Sequence, residues 1–129
     1  MIKYINFDFD NTLLDYQKAK QKAMQSVTIH LESKRIKENA EKFRTEYNEL
    51  ELILFRKFLD KKISIKEYRF LRFYKLLKGL VLMDDENLAN KCNHIYMKIA
   101  NHDIGLFSDV IPCFSLSNSR SILSAILTN

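Results

Sequence analysis

Residues Tyr4–Asp15 read YINFDFDNTLLD. Ile2, Tyr4, Ile5 and Phe7 form a short apolar run of the kind that makes a strand buried on both faces. The run ends in Asp8 and Asp10, two acids one residue apart. Like charges this close repel, and placing them beside an apolar core costs free energy. In an extended segment, residues i and i+2 point to the same side, so both carboxylates can face one reacting centre.

The far end of the chain offers a matching element. ILSAILTN, residues 122–129, is a second apolar run that ends in the small polar residues Thr128 and Asn129. Two strands separated by about a hundred residues of helical pattern predict a parallel pair joined by a long crossover. In open α/β sheets, ligands bind beyond the carboxyl ends of the strands. That rule brings Asp8 and Asp10 together with Thr128 and Asn129.

Between the strands the hydrophobic period is helical. Ala19, Ala23, Val27 and His30 define a first helix from about Tyr16 to Glu32. Ala40, Phe43, Tyr47, Leu50, Leu54 and Phe58 define a long second one. Ser64-Ile-Lys-Glu67 is a capping box that opens a third, which Gly79 is placed to terminate in a left-handed conformation. Asp84 or Asp85 caps a fourth, with Leu88, Cys92, Ile95 and Ile99 expected on its buried face. After Pro112, FSLSNSRS is a poor helix sequence. The expected fold class is therefore α/β and mostly helical: a partial Rossmann-type core of two parallel strands, with an inserted four-helix bundle.

The totals agree. A chain of 129 residues is the size of one ordinary domain, and 47% hydrophobic with 29% charged residues describes a soluble globular chain. Two Gly and one Pro favour helices over long loops. No apolar run approaches a membrane span, and Lys3 and Asn6 interrupt the N-terminal run, so no signal peptide is expected. Cys92 and Cys113 lie far apart, without partners at zinc spacing. A reduced, cytoplasmic location is expected. Lys66, Arg69, Arg72, Lys75 and Lys78 recur every three residues, a step that spirals around a helix and reads as a solvated surface. Neither nucleic acid nor membrane is expected as a partner. His30, His94 and His102 are scattered and carry no catalytic assignment.

Paired acids at a strand end suit phosphoryl transfer. One carboxylate can attack phosphorus, and the other can protonate the leaving oxygen and then take a proton from water. A divalent cation offsets the repulsion, and magnesium favours such oxygen donors. The bland alternative makes Asp10-Asn11-Thr12 a turn and helix cap. The flanking strand and the distant TN close favour the chemical reading.

FDFDNTLLDY resembles the first motif of the haloacid dehalogenase-like (HAD) hydrolases, and AILTN resembles their second. The helical insertion is similar to members with a cap after the first motif, and DNTLLDY is most like the phosphatase and nucleotidase branch. The resemblance implies that Asp8 is the nucleophile and a magnesium ligand through its carboxylate. It implies that Asp10 is the general acid/base and a ligand through its carbonyl. It implies that Thr128 and the Asn129 backbone bind the phosphoryl group. The implied domains are a core of residues 1–15 and 105–129 and a cap of residues 16–104. The implied substrate is a small phosphorylated metabolite, with a nucleotide among the candidates.

The family's later lysine and acidic motifs are not found. The chain therefore reads as an incomplete, poorly active form, either a fragment or a natural truncation, in which magnesium binds weakly. The alternative function is a non-enzymatic remnant or helical interaction module. A bare two-stranded sheet also leaves its edges open to self-association.

Overall fold

The structure is a computed structural model that describes residues 1–36, 40–80, 84–102 and 104–127. Thr128 and Asn129 lie outside the described residues. The described elements are, in order, β1 (Tyr4–Asp8), α1 (Tyr16–Ser33), α2 (Ala40–Leu59), α3 (Ile65–Leu80), α4 (Glu86–His102), α5 (Val110–Ser119) and β2 (Leu123–Leu127). The fold is α/β and mostly helical. The chain divides into two compact units, residues 1–22 with 99–129 and residues 23–98.

In the first unit β1 and β2 pair in parallel, from Tyr4 opposite Leu123 to Asp8 opposite Leu127. Helix α5 leads into β2, and Phe114 on it packs against Phe7 with ring centroids 4.9 Å apart. The expected burial of both strands is corrected here. Every residue of β2 is exposed, and on β1 Tyr4, Asn6 and Asp8 are exposed while Ile5 and Phe7 are half-buried. Two strands cannot cover each other's faces, and an apolar parallel sheet is buried only where other elements pack on both sides.

The Ser-rich stretch is also corrected, since it lies largely within α5. Pro112 falls in the first turn, where its missing N–H leaves no hydrogen bond unmade. The Ser117 and Ser119 hydroxyls donate to the Cys113 and Leu116 carbonyls, so they bond within the helix rather than competing with it.

The second unit holds most of the buried apolar mass. Val27 of α1, Phe43, Tyr47 and Leu54 of α2, Phe73 and Leu77 of α3, and Cys92 of α4 are its largest fully buried side chains. Tyr47, Phe73 and Tyr96 form a three-ring cluster that joins α2, α3 and α4, with centroids 5.3–5.6 Å apart. The buried face of α4 is Leu88, Ala89, Cys92, Tyr96 and Ala100. Ile95 and Ile99 are only half-buried, so the helix is turned slightly from the expected face.

The capping box forms as read. The Glu67 amide donates to Ser64 Oγ (3.2 Å), and the Ser64 amide donates to Glu67 Oε2 (2.7 Å). Asp85 caps α4, its Oδ1 accepting the Leu88 amide at 2.9 Å. Gly79 does not end α3 as expected: it lies inside the helix, and no glycine among the described residues has positive φ.

Arg72 departs furthest from its expected place. It is buried rather than solvated, with its guanidinium 4.6 Å from the Tyr96 ring centroid and 5.3 Å from that of Tyr68. It donates to Asn93 Oδ1 (3.1 Å) and lies 3.6 Å from Glu51 Oε1.

Candidate active site

Asp8 is the last residue of β1, and the chain then turns sharply. The Leu13 and Leu14 amides both donate to the Phe9 carbonyl, at 3.1 and 3.2 Å. Asn11 takes the left-handed conformation (φ 57°), which asparagine tolerates better than most residues. Leu13 is buried and anchors the turn from below.

A second segment fixes the far side of the turn. The Asp15 amide donates to the Gly105 carbonyl (2.8 Å), and the Phe107 amide donates to the Leu13 carbonyl (3.1 Å). Leu14 bridges to both Asp10 and Leu106. The loop carrying the acids is therefore held at both ends by backbone bonds, a suitable mounting for reactive side chains.

The helix cap here is Asp15, not Asp10: its Oδ1 accepts the Lys18 amide at the start of α1 (3.0 Å). The Asp8 carboxylate accepts a hydrogen bond from the Thr12 hydroxyl at 3.3 Å. The Asp10 side chain has no hydrogen-bond or ionic partner among the described residues, and both Asp8 and Asp10 are exposed. Structural work is thus assigned to Asp15 and Asn11, which leaves the Asp10 side chain unengaged and the Asp8 carboxylate bonded to Thr12 alone among the described residues.

Of the four residues read as a site, Asp8 and Asp10 share one turn, while Thr128 and Asn129 fall outside the described residues. The pairing of Asp8 with Leu127 shows that the carboxyl ends of both strands lie at the same end of the sheet. Thr12 and the Gly105–Phe107 clamp are contributors that the sequence reading did not assign. Thr12 was legible as the hydroxyl four residues after Asp8. The clamp was not, because backbone bonding leaves no side-chain signature.

The donor set is oxygen only, which suits magnesium. No group of three or more His, Cys, Asp or Glu side chains able to hold a metal occurs among the described residues. The Asp8 carboxylate and Asp10 carbonyl, the ligands that the resemblance implies, would therefore be a partial set, one that leaves a cation several waters. No helix among the described residues is long and apolar enough to cross a membrane.

No protein-family model matches the chain, and no curated protein matches it in sequence. Among solved structures it is similar to the proposed HAD-hydrolase YfnB from Bacillus subtilis, solved bound to magnesium. The TM-score is 0.73 at 22% sequence identity, over 99% of this chain and 53% of that one. The chain thus spans about half the length of this neighbour. The paired strands, the helical insertion between them and this likeness together show that the chain has a HAD-like fold, a partial α/β core with a helical cap.

Proposed function

We propose that this chain carries the nucleophile-bearing part of a magnesium-dependent phosphatase acting on a small phosphorylated metabolite. One observation carries the reading: two exposed acids follow a strand on a backbone-clamped turn, and neither is used to cap a helix. The HAD-like fold supports it, as does the magnesium bound in the similar structure.

On this reading an Asp8 Oδ attacks the phosphorus of a phosphomonoester, and the bond from phosphorus to the leaving oxygen breaks. Asp10 gives its proton to that oxygen, releasing the alcohol. It then takes a proton from the water that attacks the aspartyl-phosphate, which frees inorganic phosphate and restores Asp8. Thr12 orients the nucleophile through its hydroxyl. Thr128 and the Asn129 backbone are assigned to the phosphoryl oxygens. Magnesium, held by the Asp8 carboxylate and the Asp10 carbonyl, would supply charge neutralisation.

The test is hydrolysis of a generic aryl phosphate with magnesium. Asp8→Asn should abolish turnover, and Asp10→Asn should lower it by roughly 10²–10⁴, the usual worth of a general acid/base. Turnover that survives Asp8→Asn would exclude the aspartyl nucleophile. No turnover by the parent chain, with saturable magnesium binding also absent, would favour the non-enzymatic reading.

A further inference from the structure

Within the second unit, the C-terminal end of α1 and the N-terminal end of α4 enclose a cleft of about 460 Å³. It is lined by His30, Lys34, Ile36, Asp85, Leu88 and Lys91, and its volume is that of a small-molecule site. Helical spacing builds the walls: His30 and Lys34 are four residues apart, and Leu88 and Lys91 three. The turn that closes α1 is fixed by its backbone. The Ile36 amide donates to the Leu31 carbonyl (3.1 Å) and the Arg35 amide to the Glu32 carbonyl (2.8 Å), with Arg35 left-handed (φ 62°). Leu31 is buried beneath this turn, so the positions of Lys34 and Ile36 are set by the fold.

The polar groups of the cleft are unbalanced toward positive charge. Asp85 already accepts the Leu88 amide, and the neighbouring Asp84 carboxylate is bonded to the Tyr74 hydroxyl and to Lys78 Nζ. Lys34 and Lys91 are exposed, and neither makes an ion pair or a side-chain hydrogen bond among the described residues. His30 Nε2 is shut off from solvent, and it too has no hydrogen-bond partner among them. A buried polar atom left unpaired costs free energy, so a ligand that supplies an acceptor gains by doing so. Leu88 is buried and Ile36 half-buried, and together they give the cleft an apolar wall.

We propose that this cleft binds a small organic anion, with a carboxylate or phosphate-type head between Lys34, Lys91 and His30 and an apolar body on Ile36 and Leu88. The lysines donate to the head group, and His30 Nε2–H gains an anionic acceptor. A cationic ligand would meet two lysines against one carboxylate. A wholly apolar ligand would leave the His30 nitrogen unpaired. Exposed ion pairs are individually weak, so affinity should be on the order of millimolar. The proposal uses none of the residues of the acid-bearing turn and does not rest on the phosphatase reading.

Nuclear magnetic resonance titration of the full chain tests this, with benzoate and phenylphosphonate as probes and benzyl alcohol as the uncharged control. Neither anion carries a phosphate ester, so the shifts report binding alone. Both anions should move the amides of Lys34, Leu88 and Lys91 saturably. The tighter of the two then identifies the head group as carboxylate or phosphate-type. Lys34→Gln with Lys91→Gln should weaken anion binding about tenfold, and His30→Phe about threefold, while benzyl alcohol stays weak throughout. Both lysines are exposed, so helical circular dichroism of their double variant should match the parent. No saturable shift with either anion overturns the proposal. So does benzyl alcohol binding as tightly as the anions, or anion binding that ignores the lysine or histidine exchanges. Shifts confined to Asp8–Asp15 overturn it as well, since they put the anion on the acid-bearing turn.

Discussion

Arg72 shows how a single residue can evade a reading of periodicity. A basic residue every third position suggests a solvated helix face, and for Lys66, Arg69, Lys75 and Lys78 the structure agrees. Position 72, however, falls in phase with Tyr68, Phe73 and Leu76 on the buried side of α3. An arginine is tolerated there because its flat guanidinium stacks on aromatic rings and its fork reaches both Asn93 and Glu51. Nothing local in the sequence marks the position, since its partners come from α2 and α4. Removing the cation would leave the largely buried Glu51 carboxylate without its positive neighbour, with the Tyr68 hydroxyl still donating to it at 3.2 Å, and would open a void among the rings. Arg72→Ala should therefore cost about 3 kcal/mol, within the range for breaking a buried pair. Arg72→Met combined with Glu51→Gln should recover much of that loss, because the volume is refilled and no charge is left buried. Urea unfolding of the three proteins measures both effects. A loss below about 0.5 kcal/mol for Arg72→Ala, the usual scale of a surface change, would show that the network contributes little.

At the scale of elements, the legible features were those whose cause is local. The capping box of α3 is a four-residue pattern, and its two reciprocal bonds form as the residues dictate. The backbone bond from Ser64 chiefly, then its hydroxyl, hold the Glu67 carboxyl below its ordinary value of 4.5. A carboxyl lowered on folding stabilises the fold fully above its unfolded value. That contribution is lost as pH falls from about 4.5 through the lowered value. Thermal unfolding of the parent chain should thus fall more steeply below that pH than unfolding of Glu67→Gln, whose amide cannot titrate. Ser64→Ala should cost roughly 1 kcal/mol at neutral pH, as for loss of an N-cap side chain. Equal acid sensitivity of parent and Glu67→Gln would mean that the cap is not formed in solution. Helix α5 was illegible for the converse reason. Serine disfavours helix through bonds to nearby backbone, but in α5 those bonds are made to carbonyls of the helix itself. The α5 contact with Phe7 of β1 then adds a tertiary term that local propensity cannot contain.

Across the whole molecule, apolar burial is unevenly shared between the two units. The seven largest fully buried side chains all belong to residues 23–98, while Ile2, Tyr4, Leu123, Ile126 and Leu127 of the sheet unit are exposed. The sequence pattern made the strands visible, because apolar runs that end in acids or small polar residues are distinctive. It also implied burial for them, which two strands alone cannot provide. Burying one Leu or Phe side chain is worth about 1.5–3 kcal/mol, so stability should concentrate where burial does. Leu54→Ala, at a position 1% exposed, should therefore cost about 2–5 kcal/mol. Leu123→Ser, at a position 71% exposed, should change stability by no more than about 0.5 kcal/mol. Native-state hydrogen exchange resolves the same difference without substitution. The amides of β1 and β2 should open at a fraction of the free energy that protects the centres of α2 and α3. If the strand amides instead exchange only with global unfolding, the sheet is covered in solution. Leu123→Ser should then cost as much as a core substitution, and the two measurements would have to fail together.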